Sequence, residues 1–321
     1  MKIKPIIIIN GEPNSIFIEI FFKALKFKKY KSPIILISSF KLIKFYMKKF
    51  KFKKRIKLIN VDDIINLNLD NKSINLINIS FDFNNKIKKI TKKSNYFIKQ
   101  SFQIGLEILQ KKISYKFING PISKKTFLKK NYPGITEYIA KSTNTKKYAM
   151  LIYNKDLSVC PLTTHVPLKK ILKFVTKNNI CEKVELIHNF YINYRKMKPK
   201  IAVLGLNPHC ESTDNFNEDE KIIKPSVKNL KQLGYKVSGP FSADTIFTKN
   251  NRKKFDVILG MYHDQVLTPL KTIHEYDAIN ITIGLPFLRI SPDHGPNISM
   301  VGKNISNPLS LINAISFLDK N

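Results

Sequence analysis

Three short apolar runs in this chain end in the same way, and that repeated ending constrains the fold more than any other feature. Val257-Ile258-Leu259, closed by Gly260, leads into Tyr262-His263-Asp264-Gln265. Lys200–Leu206 (KIAVLGL) runs into Asn207-Pro208-His209, and Asp156–Thr164 (DLSVCPLTT) runs into His165-Val166-Pro167. Runs of this length bounded by Gly or Pro read as buried strands. Polar side chains directly past a buried strand are not needed for packing, and they stand where open α/β sheets place their binding crevice. Of the six histidines, three therefore follow an apolar run. Neutral imidazole is the commonest nitrogen ligand of transition metals, and three protein ligands with one open position is the usual arrangement of catalytic zinc. The long separations argue against a zinc finger, whose ligands come in close pairs, and fit a site assembled from several strand ends. Asp264, beside His263, offers a carboxylate to orient the imidazole. His188, inside the helical pattern VELIHNFYINY, and His274, in a polar turn, read as structural.

With 321 residues the chain has room for one large or two moderate cores. A hydrophobic content of 43% excludes wholesale disorder. No apolar run approaches the ~20 residues of a membrane span. Pro5–Asn10 (PIIIIN) is too short for a signal-peptide core and reads as a first strand. Cys160, Cys181 and Cys210 are odd in number and have no paired spacing, which suits a reducing, cytoplasmic setting. Cys210 reads as a space-filling neighbour of His209 rather than a thiolate ligand.

The net charge of +33, from 56 basic and 23 acidic residues, ordinarily points to nucleic acid. Here Lys is spread along the chain with abundant Ile and Asn and no Trp, the signature of A/T-rich codons. The densest runs, KFKKYK at 26–31 and KKFKFKKRIK at 48–57, carry no nucleic-acid motif, so they read as solvated surface.

Taken in order, Ile6–Ile9 reads as a strand, the GEP turn as a tight connection and Ser15–Phe27 as a helix. Ile34–Ser38 and Ile74–Ile79 read as strands, with a helix after Ser39. Phe81–Thr91 reads as a loop, Ser94–Lys111 as a helix and Phe117-Ile118 as a strand leading into Asn119-Gly120-Pro121-Ile122-Ser123-Lys124. In that loop Lys124 is either a phosphate ligand or one solvated Lys among many. Gly134-Ile135-Thr136-Glu137 starts a short helix whose N-terminal amides and Thr136 could seat a phosphate. Leu168–Val175 and Cys181–Arg195 read as helices and Glu211–Lys221 as a mobile acidic loop. Gly239–Asp244 ends a strand and starts a helix, where Asp244 also suits the helix dipole. Asn307 caps a last helix, with Pro308 in its first turn. No GxGxxG follows the first strand, so the common dinucleotide fingerprint is absent.

The segments LTTHVPL, GLNPHCES and MYHDQ resemble the metal-binding segments of the 4-hydroxythreonine-4-phosphate dehydrogenase family. GEP, NGPISK (119–124), GITE (134–137), SADTIF (242–247), INITIGLPFLR (279–289) and SPDHG (291–295) fall in the same order. The resemblance departs at four places. Asn14, Ser15, Phe17 and Ile18 stand where the family has Ala, Gly, Gly and Pro. Asn119 replaces Thr, Ile135 replaces His, and Pro296-Asn297 replace Thr-Ala.

The resemblance implies a two-domain α/β/α sandwich of the isocitrate/isopropylmalate dehydrogenase-like type, with the active-site cleft between domains. Residues 1–130 with 275–321 would form the first domain, carrying the nucleotide loop, and 131–274 the second, carrying the metal ligands. It implies NAD- or NADP-dependent oxidation of 4-phosphooxy-L-threonine, with decarboxylation to 3-amino-2-oxopropyl phosphate, in pyridoxine 5'-phosphate biosynthesis. His165, His209 and His263 would hold a divalent metal (zinc, magnesium or cobalt), with Asp244 and Asp264 alongside. Thr136, Lys271, Asn280 and Arg289 would bind the phosphorylated amino-acid substrate, and Asp293, His294 and Gly295 the nucleotide. The family's site is shared across a homodimer interface. The alternatives are a sister dehydrogenase acting on another phosphorylated hydroxy acid or diol, and a decayed enzyme scaffold that binds nucleic acid.

Overall fold

The computed structural model describes residues 3–82, 91–123, 127–128, 131–214, 216–275, 277–292 and 294–320. The chain divides into two compact units, 1–138 with 286–321, and 139–285.

The first unit is built on runs that are apolar at every position. Its strands are β1 (Ile6–Ile9), β2 (Ile34–Ser38), β3 (Arg55–Leu58), β4 (Ser73–Asn78), β5 (Lys116–Asn119) and, after the chain has made the second unit, β12 (Leu288–Pro292). They lie in the order β3-β4-β2-β1-β5-β12, and every pairing is parallel. Parallel strands are covered on both faces, which is why β1 is four isoleucines in a row, all fully buried. Helix Phe17–Phe27 buries most of its surface, and Phe22 stacks on Phe52 with ring centroids 4.2 Å apart. Ser39 caps the helix that follows β2, and Thr91 and Ser94 form a reciprocal capping box at the start of helix Lys92–Gln110. The GEP turn is tight, as its sequence implies. A Cβ on Gly11, at φ +71°, would lie 2.4 Å from the Pro121 carbonyl oxygen.

The second unit contains β6 (Ala149–Tyr153), β7 (Ser158–Thr163), β8 (Ile201–Leu204), β9 (Val237–Phe241), β10 (Val257–Tyr262) and β11 (Ile279–Ile283). Their order is β11-β6-β7-β10-β8-β9. The pairs β11/β6 and β6/β7 are antiparallel, and β7, β10, β8 and β9 run parallel. β10 is thus the middle strand of three parallel neighbours, the three whose ends carry histidine. Val159, Ala202, Ile258, Val266 and Leu270 form the core under those ends.

Several expectations are corrected. Residues 275–285 belong with the second unit, because β11 pairs with β6 along its whole length. The helix expected at Cys181–Arg195 starts at Lys177, where the Thr176 hydroxyl accepts the Asn179 N–H. Leu168–Phe174 is a 3-10 segment. The acidic stretch Glu211–Lys221 is not all free loop, since Asp219 is fully buried and starts the helical turn Asp219–Ile223. His274 ends helix His263–His274 rather than sitting in a turn.

Candidate active site

β7 and β10 are hydrogen-bonded neighbours, with Thr163 opposite Tyr262. Both chains then turn within two residues into His165 and His263, whose ring centroids lie 6.3 Å apart. Adjacent strands are about 4.8 Å apart, so two imidazoles raised from neighbouring ends meet without special loop geometry. Asp264 Oδ1 lies 2.6 Å from His263 Nδ1. That carboxylate holds the proton on Nδ1 and leaves the Nε2 lone pair for a ligand.

His209 takes a different path. It lies five positions beyond Leu204, the end of β8, in the short turn Pro208–Cys210. His209 and Cys210 both have positive φ, +56° and +63°. The His209 side chain is 75% exposed, and its Nδ1 lies 3.9 Å from Asp244 Oδ2. The Ser242 hydroxyl donates to Asp244 Oδ1 at 2.5 Å, and this bond holds the carboxyl below its ordinary range. The sequence brings three histidines to one place; the structure pairs His165 with His263, and His209 with Asp244. Among the described residues no three His, Cys, Asp or Glu side chains group closely enough to hold one metal ion. The donor chemistry nonetheless fits a divalent metal. Two imidazoles meet at neighbouring strand ends, and one of them lies against a carboxylate through Nδ1.

The polar cluster of the first unit centres on Arg289 of β12, which is fully buried. Its Nε donates to Asn119 Oδ1 at 2.7 Å, and its Nη1 to Thr136 Oγ1 at 3.2 Å. Burial pushes its pKa down to about 10, with Glu137 opposing, so it stays charged at neutral pH. A buried guanidinium held in one plane suits bidentate recognition of a phosphate or carboxylate. In the second unit, Lys271 lies exposed in the last turn of helix His263–His274. Asn280 lies on β11, where its Oδ1 is buried without a hydrogen-bond partner among the described residues.

Of the expected nucleotide residues, Asp293 lies outside the described residues, as does Lys124. His294 Nδ1 approaches the Gly295 carbonyl oxygen at 3.2 Å. Among the described residues, a Cβ on Gly295 would meet only Asn297 Oδ1, at 3.7 Å, so their packing does not require glycine there. Room left beside a glycine suits a close ligand. A separate cavity of about 510 Å³, lined by Pro5, Pro33, Leu67 and Ile113 among others, opens where β1, β2 and β5 begin. None of the expected site residues lines it.

Sequence reasoning missed Asn119 as the partner of Arg289, and it missed two further side chains. Gln265 is buried, accepts the Met261 N–H at 2.7 Å and donates to the Gly205 carbonyl at 2.8 Å, tying β10 to β8. Asp219 accepts hydrogen bonds from Leu206 and Asn207. Its readable signal was an acid three and four positions ahead of Ile222 and Ile223, the start of an amphipathic pattern. His188 lies edge-on to Tyr235 at 4.9 Å, with burial lowering its pKa.

The family model described as pyridoxal phosphate biosynthetic protein PdxA matches residues 29–318. The chain is 39% identical over 315 residues to the 4-hydroxythreonine-4-phosphate dehydrogenase of Sulfurihydrogenibium sp., covering 95% of this chain and 94% of that one. It is 40% identical over 175 residues to the D-threonate 4-phosphate dehydrogenase of Pectobacterium atrosepticum, 54% of each chain. The crystal structure of the 4-hydroxythreonine-4-phosphate dehydrogenase of Klebsiella pneumoniae superposes with a TM-score of 0.82 at 25% identity, over 98% of each chain. With the family model spanning nearly the whole sequence and the same two-unit α/β fold in the solved relative, this chain belongs to the PdxA family of pyridoxal phosphate biosynthetic proteins.

Proposed function

We propose that the chain is a cytoplasmic, homodimeric, NAD(P)-dependent dehydrogenase. It oxidises 4-phosphooxy-L-threonine at the C3 hydroxyl, with loss of carbon dioxide to give 3-amino-2-oxopropyl phosphate. The observation that carries the reading is the His165/His263 pair on neighbouring strand ends, in a chain of this family. His165, His209 and His263 would hold a divalent metal, which when bound supplies Lewis-acid polarisation of a substrate oxygen. Asp264 keeps His263 in the tautomer that presents Nε2. Arg289, planar and charged, binds an anionic end of the substrate, and Thr136 and Asn119 keep the guanidinium from rotating. Lys271 adds a second cation for the other anionic end. The buried Oδ1 of Asn280 accepts from a substrate ammonium or hydroxyl. His294 and Gly295 line the place of the nucleotide. No described helix is long and apolar enough to cross a membrane, and the cysteines are unpaired, in keeping with a cytoplasmic enzyme.

The D-threonate 4-phosphate dehydrogenases among the relatives favour one second reading, a sister activity on a phosphorylated hydroxy acid lacking the amine. The test is NADH and NADPH formation from both substrates, with and without added zinc, magnesium or cobalt. The proposal expects kcat/KM at least tenfold higher on the amino-acid substrate, and loss of nearly all turnover in His165→Ala, His209→Ala and His263→Ala. Preference for D-threonate 4-phosphate selects the sister activity. Full metal occupancy in the triple variant by elemental analysis refutes the histidine site.

A further inference from the structure

The acidic stretch after His209 contains a buried carboxylate that the reaction leaves unexplained. Asp219 is fully buried. Its Oδ1 accepts the Leu206 N–H at 2.7 Å, and its Oδ2 accepts the backbone N–H and the side-chain amide of Asn207 at 3.1 and 3.0 Å. Three donors from the two residues that lead out of β8 thus converge on one side chain. Asp219 is itself fixed, since its N–H donates to Asn217 Oδ1 at 2.9 Å. The space it fills exists because residue 205 is glycine. A Cβ there would lie 2.6 Å from both Asp219 Oδ1 and Cys210 Sγ. The Gly205 carbonyl receives Gln265, two residues from His263, so the strand end that leads to His209 is tied to the helix that starts at His263.

Two consecutive residues beyond this anchor, His209 and Cys210, adopt left-handed backbone. Non-glycine residues hold that conformation only where the surroundings over-determine it. Cys210 donates its N–H to Asn207 O at 3.1 Å, so the turn is built directly on the residue that Asp219 grips. We propose that Asp219 is the positioning residue for His209. It grips the Leu206–Asn207 backbone, which fixes the strained turn and the direction in which the imidazole leaves it. The inference rests on the reading of His209 as a metal ligand, and its test separates the two.

Full-length Asp219→Asn puts an amide N–H₂ against converging donors while keeping the side chain's shape. Ser226→Ala, which removes a partly buried hydrogen bond from the next helix to the Ile222 carbonyl, is the stability control. The first measurement is the histidine ring resonances of the metal-free protein by NMR. Asp219→Asn should shift or broaden those of His209 and leave His165 and His263 in place, whereas Ser226→Ala should move none of them. The second is Co(II) affinity by titration, expected to fall about 10- to 100-fold in Asp219→Asn only, the range for residues that orient metal ligands. Unchanged His209 resonances, or equal changes in the two variants, overturn the proposal. If His209→Ala binds cobalt as the unmodified chain does, the ligand reading of His209 fails and the resonances alone decide for Asp219. If Asp219→Asn does not fold, Asn207→Ala, which removes one of the three donors, must move the same His209 signals. Silence there overturns the proposal too.

Discussion

Ile135 shows most directly what one residue can do in this site. It opens the helix Ile135–Ser142, and the next residue, Thr136, receives Arg289. The family resemblance places His at 135. Isoleucine offers no donor to a phosphate oxygen and carries no proton, whereas Gly134, Thr136 and Glu137 are kept, so the helix start survives and one contact is missing. A hydrogen bond to a charged group contributes ~1.5–3 kcal/mol, and each ~1.4 kcal/mol is tenfold in rate. Ile135→His should therefore raise kcat/KM about tenfold, measured on folded, metal-loaded protein by steady-state kinetics. An unchanged value would mean that the site has been rebuilt around isoleucine. Residue identity was legible here where motifs carried it, as at His165, His263 and Arg289. The Asn119 contact to Arg289 was not, because it joins positions 170 apart and no local pattern reports such a pairing.

At the scale of elements, legibility followed burial in several strands, although β6, buried at every position, went unread. β1, β2 and β10 are nearly continuous apolar runs, and β4 buries Ile74, Leu76 and Ile77, so a sequence window finds them. β3 went unread because Arg55–Leu58 is mostly exposed and half basic, with pairing to β4 alone to define it. The turn around Asp219 went unread because a buried acid with backbone donors looks in sequence like any solvated acid. Glu19 is a second case, and it holds the first helix to the segment 304–306 that precedes the last helix. It is 2% exposed, its Oε1 accepts the Ser306 N–H at 2.6 Å, and its Oε2 accepts the Asn304 N–H at 3.2 Å. Lys23 closes the group, at 2.9 Å from Glu19 and 2.8 Å from the Ser306 carbonyl. Glu19→Ala leaves two inward-facing amides and should cost about 2 kcal/mol. For a unit of this size that is roughly 4–8 °C in Tm. Lys23→Ala, at a more exposed position, should cost under about 1 kcal/mol. Scanning calorimetry checks both, and a Glu19→Ala protein melting with the parent would remove this tie from the account.

At the scale of the whole molecule, the arrangement of histidines bears on assembly. His165 and His263 face each other, while His209 points toward Asp244. If the site is completed across a two-fold dimer, each site takes the His165/His263 pair from one copy and His209 from the other. In a hybrid of His209→Ala and His263→Ala chains, one of the two sites then receives only intact residues, and the other receives both substitutions. Random exchange makes half the dimers hybrid, so mixing two inactive proteins should restore roughly a quarter of the unmodified activity, as two-fold symmetry requires. If all three histidines of a site come from one chain, every site in the mixture lacks a ligand and nothing is restored. Each copy carries a net charge of +33, so subunits repel at low ionic strength. Exchange and assay belong near physiological salt, where the screening length is about 8 Å. Sedimentation must show dimers, and mass spectrometry of differently tagged chains must show hybrids. With hybrids present and no activity recovered, or with a fully active monomer, the shared site is refuted.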